Sequence, residues 1–213
     1  TQIAMRAFSK AGVHLYTLDG LFNDWCGPRN GSPLPWDFTE NGPRLQKAVD
    51  ADPDALFNLR LMFETRHLLD NWWNKQYPDE VEVMSEGEAK SASYASKVWH
   101  QHVKELLTAL VAHLRAVGMY DRVIGYQMCT GTCGEWIKSW SCMELPNGDF
   151  SAPMQVYFRH WLTQRYGTDA ALQAAWGKPE VTLASADVPS STDQDTTSHY
   201  YFRDPNRERN VID

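Results

Sequence analysis

The sequence predicts an α/β chain of the (β/α) TIM-barrel type, incomplete at about half a barrel, and three observations carry that reading. Apolar, β-prone runs alternate with segments of helical periodicity. The connections after the strands are long and rich in aromatic residues, whereas those after the helices are short. A carboxylate, Asp19, Glu64 or Glu135, stands just past the end of each strand. Right-handed crossovers between parallel strands bring their C-terminal ends to one rim, so the three carboxylates are expected to converge there.

The elements follow in order. Residues 2–10 read as a short helix, Gly12 resets the chain, and Val13 to Leu18 form a strand that ends in Asp19-Gly20. His14 and Tyr16 alternate with Val13 and Leu15 on it, so one of the two sets faces the barrel centre; His14 reads more readily as a satisfied core histidine than as a catalyst. Leu21 to Glu40 is too long for a tight connector and is expected to cover something. Asn41 or Gly42 caps a helix with Pro43 in its first turn, where a missing N–H costs nothing, and Leu45 and Val49 mark its inner face. Leu56 to Phe63 (LFNLRLMF) is nearly continuous in apolar character, as suits a parallel strand covered by helices, and runs into Glu64.

After a second aromatic loop, Ala95 to Val117 places Trp99, Val103, Leu106, Leu107, Leu110, Leu114 and Val117 at helical spacing, with Gly118 as its stop. Arg122 to Met128 is the third strand and leads into the Glu135 loop. Asp149 or Ser151 caps a helix with Pro153 in its first turn, Gly167 ends it, and a shorter helix closes at Trp176-Gly177. Residues 1–180 are therefore read as a partial barrel. Residues 181–213, polar and rich in Ser, Thr and Asp, are read as a loop with a C-terminal segment.

Composition narrows the function classes. Hydrophobic residues at 43% and charged residues at 22% are ordinary for a globular domain, and the net charge of -7 leaves no basic footprint for nucleic acid. No apolar stretch is long enough for a membrane span, and the N-terminus lacks the apolar core of a signal peptide, so no membrane partner is expected. Any export signal is absent or already removed, and a secreted or periplasmic setting is slightly favoured over a cytoplasmic one. Cys26, Cys129, Cys133 and Cys142 form no CxxC pair and match no common zinc spacing; free thiols, a disulfide or a metal all stay open, with free thiols the leading reading. No cofactor is implied.

The site chemistry is read from GYQMCTGTCGEWIKSW, where Glu135 is followed at once by Trp136. A glycosidase needs a carboxyl group to protonate a leaving oxygen and an aromatic face against the apolar side of a pyranose, and this segment offers both. The alternative for Glu135 is a structural salt bridge or cap. Its partner would be Glu64 or Asp19. For Glu64 a structural ion pair with Arg60, Arg66 or His67 is comparably favoured, and Asp19 is also an ordinary turn residue. Gln127 and Thr130 are candidates to hydrogen-bond sugar hydroxyls, and Trp72, Trp73, Trp136 and Trp140 are candidates for a stacking platform or, alternatively, for packing wedges. His100 and His102 lie two apart on one helix, on different faces, and are no metal pair.

The segments AGVHLYT, LFNLRLMFET, NWWNKQYPDEV, RVIGYQM with GEW, and YFRHWLTQRYGTDAALQAAWG resemble the catalytic barrel of clan A glycoside hydrolases, family 42 β-galactosidases above all. The resemblance runs over roughly residues 5 to 205, and its last segment is the most specific. It implies a retaining β-glycosidase with the acid/base after the fourth barrel strand and the nucleophile after the seventh. The Asn-Glu pair usual after the fourth strand is replaced here by Thr130 and Gly131, with Glu135 four residues later. Only three strands are evident, and the family's nucleophile has no counterpart. A half-sheet exposes two strand edges and an apolar face, so self-association, or completion by the missing remainder of the barrel, is expected. Two functions follow: a β-glycosidase acting on a carbohydrate substrate, or a non-catalytic carbohydrate- or partner-binding remnant of such a barrel.

Overall fold

The structure, a computed structural model, describes residues 2–19, 36–63, 65, 72–85, 91–131, 134, 136, 148–195 and 208–213. Two compact units divide the chain: Thr1–Gln76 with His100–Cys142, and Tyr77–Trp99 with Met143–Asp213.

The first unit is built on three parallel strands, β1 (Leu15–Asp19), β2 (Leu56–Met62) and β3 (Val123–Cys129), in the order β1-β2-β3. Each neighbouring pair is joined through a helix, as parallel strands require. Helix α1 (Gln2–Lys10) precedes β1, α2 (Asn41–Ala51) joins β1 to β2, and the short α3 (Trp72–Gln76) and long α4 (Lys97–Ala116) lie between β2 and β3. α4 begins in the second unit and enters the first at His100.

β1 starts two residues later than the apolar run suggests because Val13 closes α1 instead of pairing. Its N–H bonds the Phe8 carbonyl at 2.9 Å, with Gly12 at φ 79°, the left-handed helix stop that glycine favours. The position capping α2 is Glu40 rather than Asn41 or Gly42, and it makes no side-chain cap bond. α4 stops as expected at Gly118, φ 70°.

The expected near-continuous apolar character of β2 is an alternation in the structure. Phe57, Leu59 and Leu61 are buried on one face, while Asn58, Arg60 and Met62 on the other are half-buried. With Leu45 and Ala48 of α2 and Leu106, Leu110 and Leu114 of α4, also buried, the apolar face makes the core of this unit. Register assigns the other face: Leu15 pairs with Leu56, Thr17 with Asn58 and then Gly125, and Asp19 with Arg60 and then Gln127. A Cβ at Gly125 would lie 2.7 Å from Asn58 Oδ1, so any larger residue there would push the Asn58 amide aside.

In the second unit a single-bridge pairing of Val81 with Ala92 precedes α5 (Ala152–Tyr166) and α6 (Asp169–Trp176). Ser151 caps α5 and Thr168 caps α6, and Gly167 and Gly177, at φ 70° and 66°, end them. Leu162, Leu172 and Ala186 form the core, with Phe158, Trp161, Trp176, Val181 and Leu183 packed around it. The stretch read as a polar loop after residue 180 therefore contributes to a core. Its backbone is strapped down by the side chains of Asp169, which accepts from Leu183 N at 2.7 Å, and Arg159, which donates to Ala186 O at 2.8 Å. The short helices α7 (Ser191–Asp195) and α8 (Arg209–Ile212) follow. Among the described residues no strand follows β3, and no helix is long and apolar enough to cross a membrane.

Candidate functional site

The C-terminal ends of the three strands carry a row of polar side chains on the face opposite the core. Asp19, the last residue of β1, is 66% exposed at its side chain; Arg60 of β2 donates from Nη1 to its Oδ1 at 3.3 Å. Arg44 of α2 reaches the Asp19 carbonyl, also at 3.3 Å. Gln127 of β3 completes the row and is exposed, free to reach a ligand. The Arg60 guanidinium is pushed up from its ordinary value by its hydrogen bond to Asp19 and by Cys129, against the opposing effect of burial.

Beyond β3 the chain turns sharply. Gly131 and Gly134 have φ of 71° and 75°, and Trp136 is a non-glycine residue at φ 61°. Such a conformation costs a bulky residue about 1–3 kcal/mol, and two hydrogen bonds at Trp136 offset it. Its backbone N–H bonds the Thr130 carbonyl at 2.8 Å, and its indole Nε1 bonds the Met128 carbonyl at 3.0 Å. The ring is thereby folded back along the end of β3, with 49% of the residue exposed. Thr130, beneath it in the chain, is fully buried, and its hydroxyl has no hydrogen-bond partner. A sugar hydroxyl reaches Thr130 only after the loop moves.

The other candidates divide clearly. Trp73 is completely buried, and its Nε1 donates to His102 Nδ1 at 3.1 Å with the rings edge-on, so it is a packing wedge with no face for a sugar. Trp72 is half-buried on the same short helix. Glu64, Glu135 and Trp140 lie outside the described residues, although Phe63, Thr65, Gly134 and Trp136 flank the two glutamates. Cys129 is a free, buried thiol; Cys26, Cys133 and Cys142 lie outside the described residues.

Two arrangements escaped the sequence reading. Arg60 is central to the row of strand ends, and its signal was a charge set within an apolar strand. The second arrangement lies at the opposite end of β1, where the buried Asp52 carboxylate accepts from Ser9 Oγ (3.0 Å), His14 Nδ1 (2.9 and 3.0 Å), Tyr16 OH (2.8 Å) and Asp54 N (3.2 Å). Tyr16 and His14 thus face away from the polar row, and the Leu15 set shares its face. His14, Asp52 and Asp54 also bring metal-ligand atoms within 4.8 Å of one another, but four donors already occupy the Asp52 oxygens. A cavity of about 520 Å³ sits between α1 and α2, lined by Ile3, Met5, Leu18, Arg44, Lys47 and Ala48. Leu18 alternates with Asp19, so this cavity is on the helix side of the sheet and apart from the polar row.

No family model and no curated protein matches the chain. Solved structures do. A β-galactosidase from Bacillus circulans sp. alkalophilus superimposes with a TM-score of 0.62 at 18% identity, over 94% of this chain and 28% of its own. A GH42 β-galactosidase from G. stearothermophilus gives 0.60 at 15%, over 90% of this chain and 26% of its own. The catalytic domain of a β-amylase from Paenibacillus polymyxa gives 0.68 at 15%, over 99% of this chain and 54% of its own. The chain spans little more than a quarter of these β-galactosidases and about half of the β-amylase domain. What the three parallel strands and their helices share with them is the fold, that of part of a (β/α) barrel.

Proposed function

We propose that the chain is the acid/base-bearing part of a β-glycoside hydrolase, β-galactosidase-like, with Glu135 as general acid/base and retention at the anomeric carbon. The observation that carries this reading is the grouping at the strand ends: Asp19, Arg60 and Gln127 in one row, and the half-exposed Trp136 that follows Glu135 in sequence. A pyranose lying on Trp136 turns its hydroxyl-bearing edge to polar groups of this kind. Asp19 or Glu64 supplies the second carboxylate. A separation from Glu135 of about 5–5.5 Å corresponds to retention and about 6.5–9.5 Å to inversion.

The test is Glu135→Gln against an aryl β-glycoside. The variant is expected to lose about 10²–10⁴-fold in kcat with an unchanged far-UV circular dichroism spectrum; full activity refutes the assignment. A mechanism-based glycosidase inactivator should label a carboxylate on this chain. The non-catalytic reading draws on the same Trp136 face, and it wins if saccharide changes tryptophan fluorescence while no turnover or labelling occurs. The open edges of β1 and β3 carry the second half of the proposal, that the isolated chain self-associates. Sedimentation showing a compact monomer that unfolds cooperatively overturns it.

A further inference from the structure

We propose that Arg60 is the positioning residue of this site: its guanidinium ties the carboxylate at the end of β1 to the loop after β3 and holds that loop down on the sheet. The two ends of the fork face different elements. Nη1 bonds Asp19 Oδ1 at 3.3 Å, whereas Nη2 lies against the backbone of Gly134, where a Cβ would be only 2.6 Å away. The same absent Cβ would meet Cys129 Cβ at 3.0 Å and Met62 Cε at 3.1 Å. Met62 and Cys129 are register partners on the face that carries Arg60, so Gly134 rests in a seat made by three side chains of the polar face.

This close approach and a φ of 75° both demand glycine at 134. Among the described residues the loop is also held to β3 through Trp136, whose backbone N–H and indole return to Thr130 and Met128. Arg60 stands in the central strand with its side chain 27% exposed, placed to reach both neighbours at once. A lysine supplies the charge but a single point of attachment, so it cannot span Asp19 and Gly134 together. In sequence the residue between Gly134 and Trp136 is Glu135, the proposed acid.

Only the kinetic part of the test rests on the glycosidase reading. The structural part follows Trp136 emission and acrylamide quenching, isolated from the other tryptophans by subtracting matched Trp136→Phe variants. Arg60→Gln is expected to red-shift Trp136 and to remove its protection from quencher, with far-UV circular dichroism unchanged. Arg60→Lys, the conservative control for folding, is expected to do the same in part. Gly134→Ala should also displace Trp136, with an added cost from the positive φ and from Cys129 and Met62 that Arg60→Gln does not share. In the kinetic part, Arg60→Gln lowers kcat by about 10²-fold with little change in KM, as a displaced reacting group does. Unchanged Trp136 fluorescence in Arg60→Gln overturns the proposal. A wild-type chain without hydrolytic activity removes the glycosidase reading and leaves the fluorescence outcome to decide the role of Arg60.

Discussion

Replacing Asp213 by asparagine isolates the polar tie that closes the second unit. The side chain is 2% exposed; its Oδ1 lies 3.3 Å from Arg165 Nε and 3.1 Å from Arg209 Nη2. Its Oδ2 accepts from the Tyr166 hydroxyl and, at 3.0 Å, from Trp176 Nε1. Asparagine keeps the volume, but it presents an NH₂ group where one of these acceptors was and leaves the guanidinium groups without a counter-charge. Removing one partner of a buried charge pair costs about 3–5 kcal/mol. Both arginines retain access to water, 42% and 26% at their side chains, so screening reduces that figure. A loss of about 2–4 kcal/mol is expected. Urea unfolding with a slope of about 1–3 kcal/mol/M converts it to a midpoint shift on the order of 1 M, read by tryptophan fluorescence. Asp187→Asn is the control: that carboxylate pairs with Arg159 but is 65% exposed, and its loss is expected to cost less than about 1 kcal/mol. Equal costs for the two variants refute the argument that burial makes Asp213 special.

Acid and alkali should destabilise the first unit through one cluster. Burial alone raises the Asp52 carboxyl, but hydrogen bonds from Tyr16, His14, Ser9 and the Asp54 N–H outweigh it and hold the group at about 2. A folded-state value below the unfolded one means that its contribution is present above about pH 4 and is lost as pH falls towards 2; urea midpoints across that window should drop less in Asp52→Asn. Burial and the Asp52 carboxylate push the Tyr16 hydroxyl up to about 12, so its contribution holds below about pH 10 and is lost as pH rises towards 12, a loss that Tyr16→Phe should abolish. Trp73→Phe should cost about 1 kcal/mol for the hydrogen bond to His102, measured by thermal or urea unfolding. Burial pushes the His102 imidazole down, against an opposing pull from Glu105, so its contribution is present near neutrality and lost as pH falls below about 6.5.

Which parts of this were legible in the sequence follows from the range of the forces involved. α4, α5 and α6 were readable because their signals are local: an apolar period over five turns, a serine or threonine cap, and a glycine stop at Gly118, Gly167 and Gly177. Strand existence was equally local, and parallel order followed from the intervening helices. Strand ends were less secure, as Val13 shows, because a carbonyl of α1 competes for its N–H. The alternating faces of β2 were hidden because Met62 reads as apolar alongside Leu59 and Leu61, and only register places it with Arg60. Burial separated the tryptophans. Trp73 and Trp136 look alike beside polar neighbours, yet one donates into the packed interior and the other to an exposed strand end. The Asp52 cluster joins residues 36 to 43 apart in sequence, and no spacing rule signals it.

The face of the sheet opposite the core changes in polarity along the strands, and this gradient bears on how the sheet would be closed. At the N-terminal end the row is Leu15 with Leu56, 54% and 38% exposed; in the middle it is Thr17, Asn58 and Gly125; at the C-terminal end it is Asp19, Arg60 and Gln127. A closed (β/α) barrel fills its interior with packed layers of side chains, and leucines at the floor beneath charges at the mouth suit such an interior. On an open sheet the same leucines face water, an unfavourable arrangement that further strands at the β1 and β3 edges would relieve. The Asp19–Arg60 pair gains as well, because excluding water lowers the local dielectric and strengthens every interaction of the guanidinium. The apolar floor therefore favours closing the sheet, and closure would strengthen the electrostatics of the polar mouth above it, as the chemistry proposed for Glu135 needs.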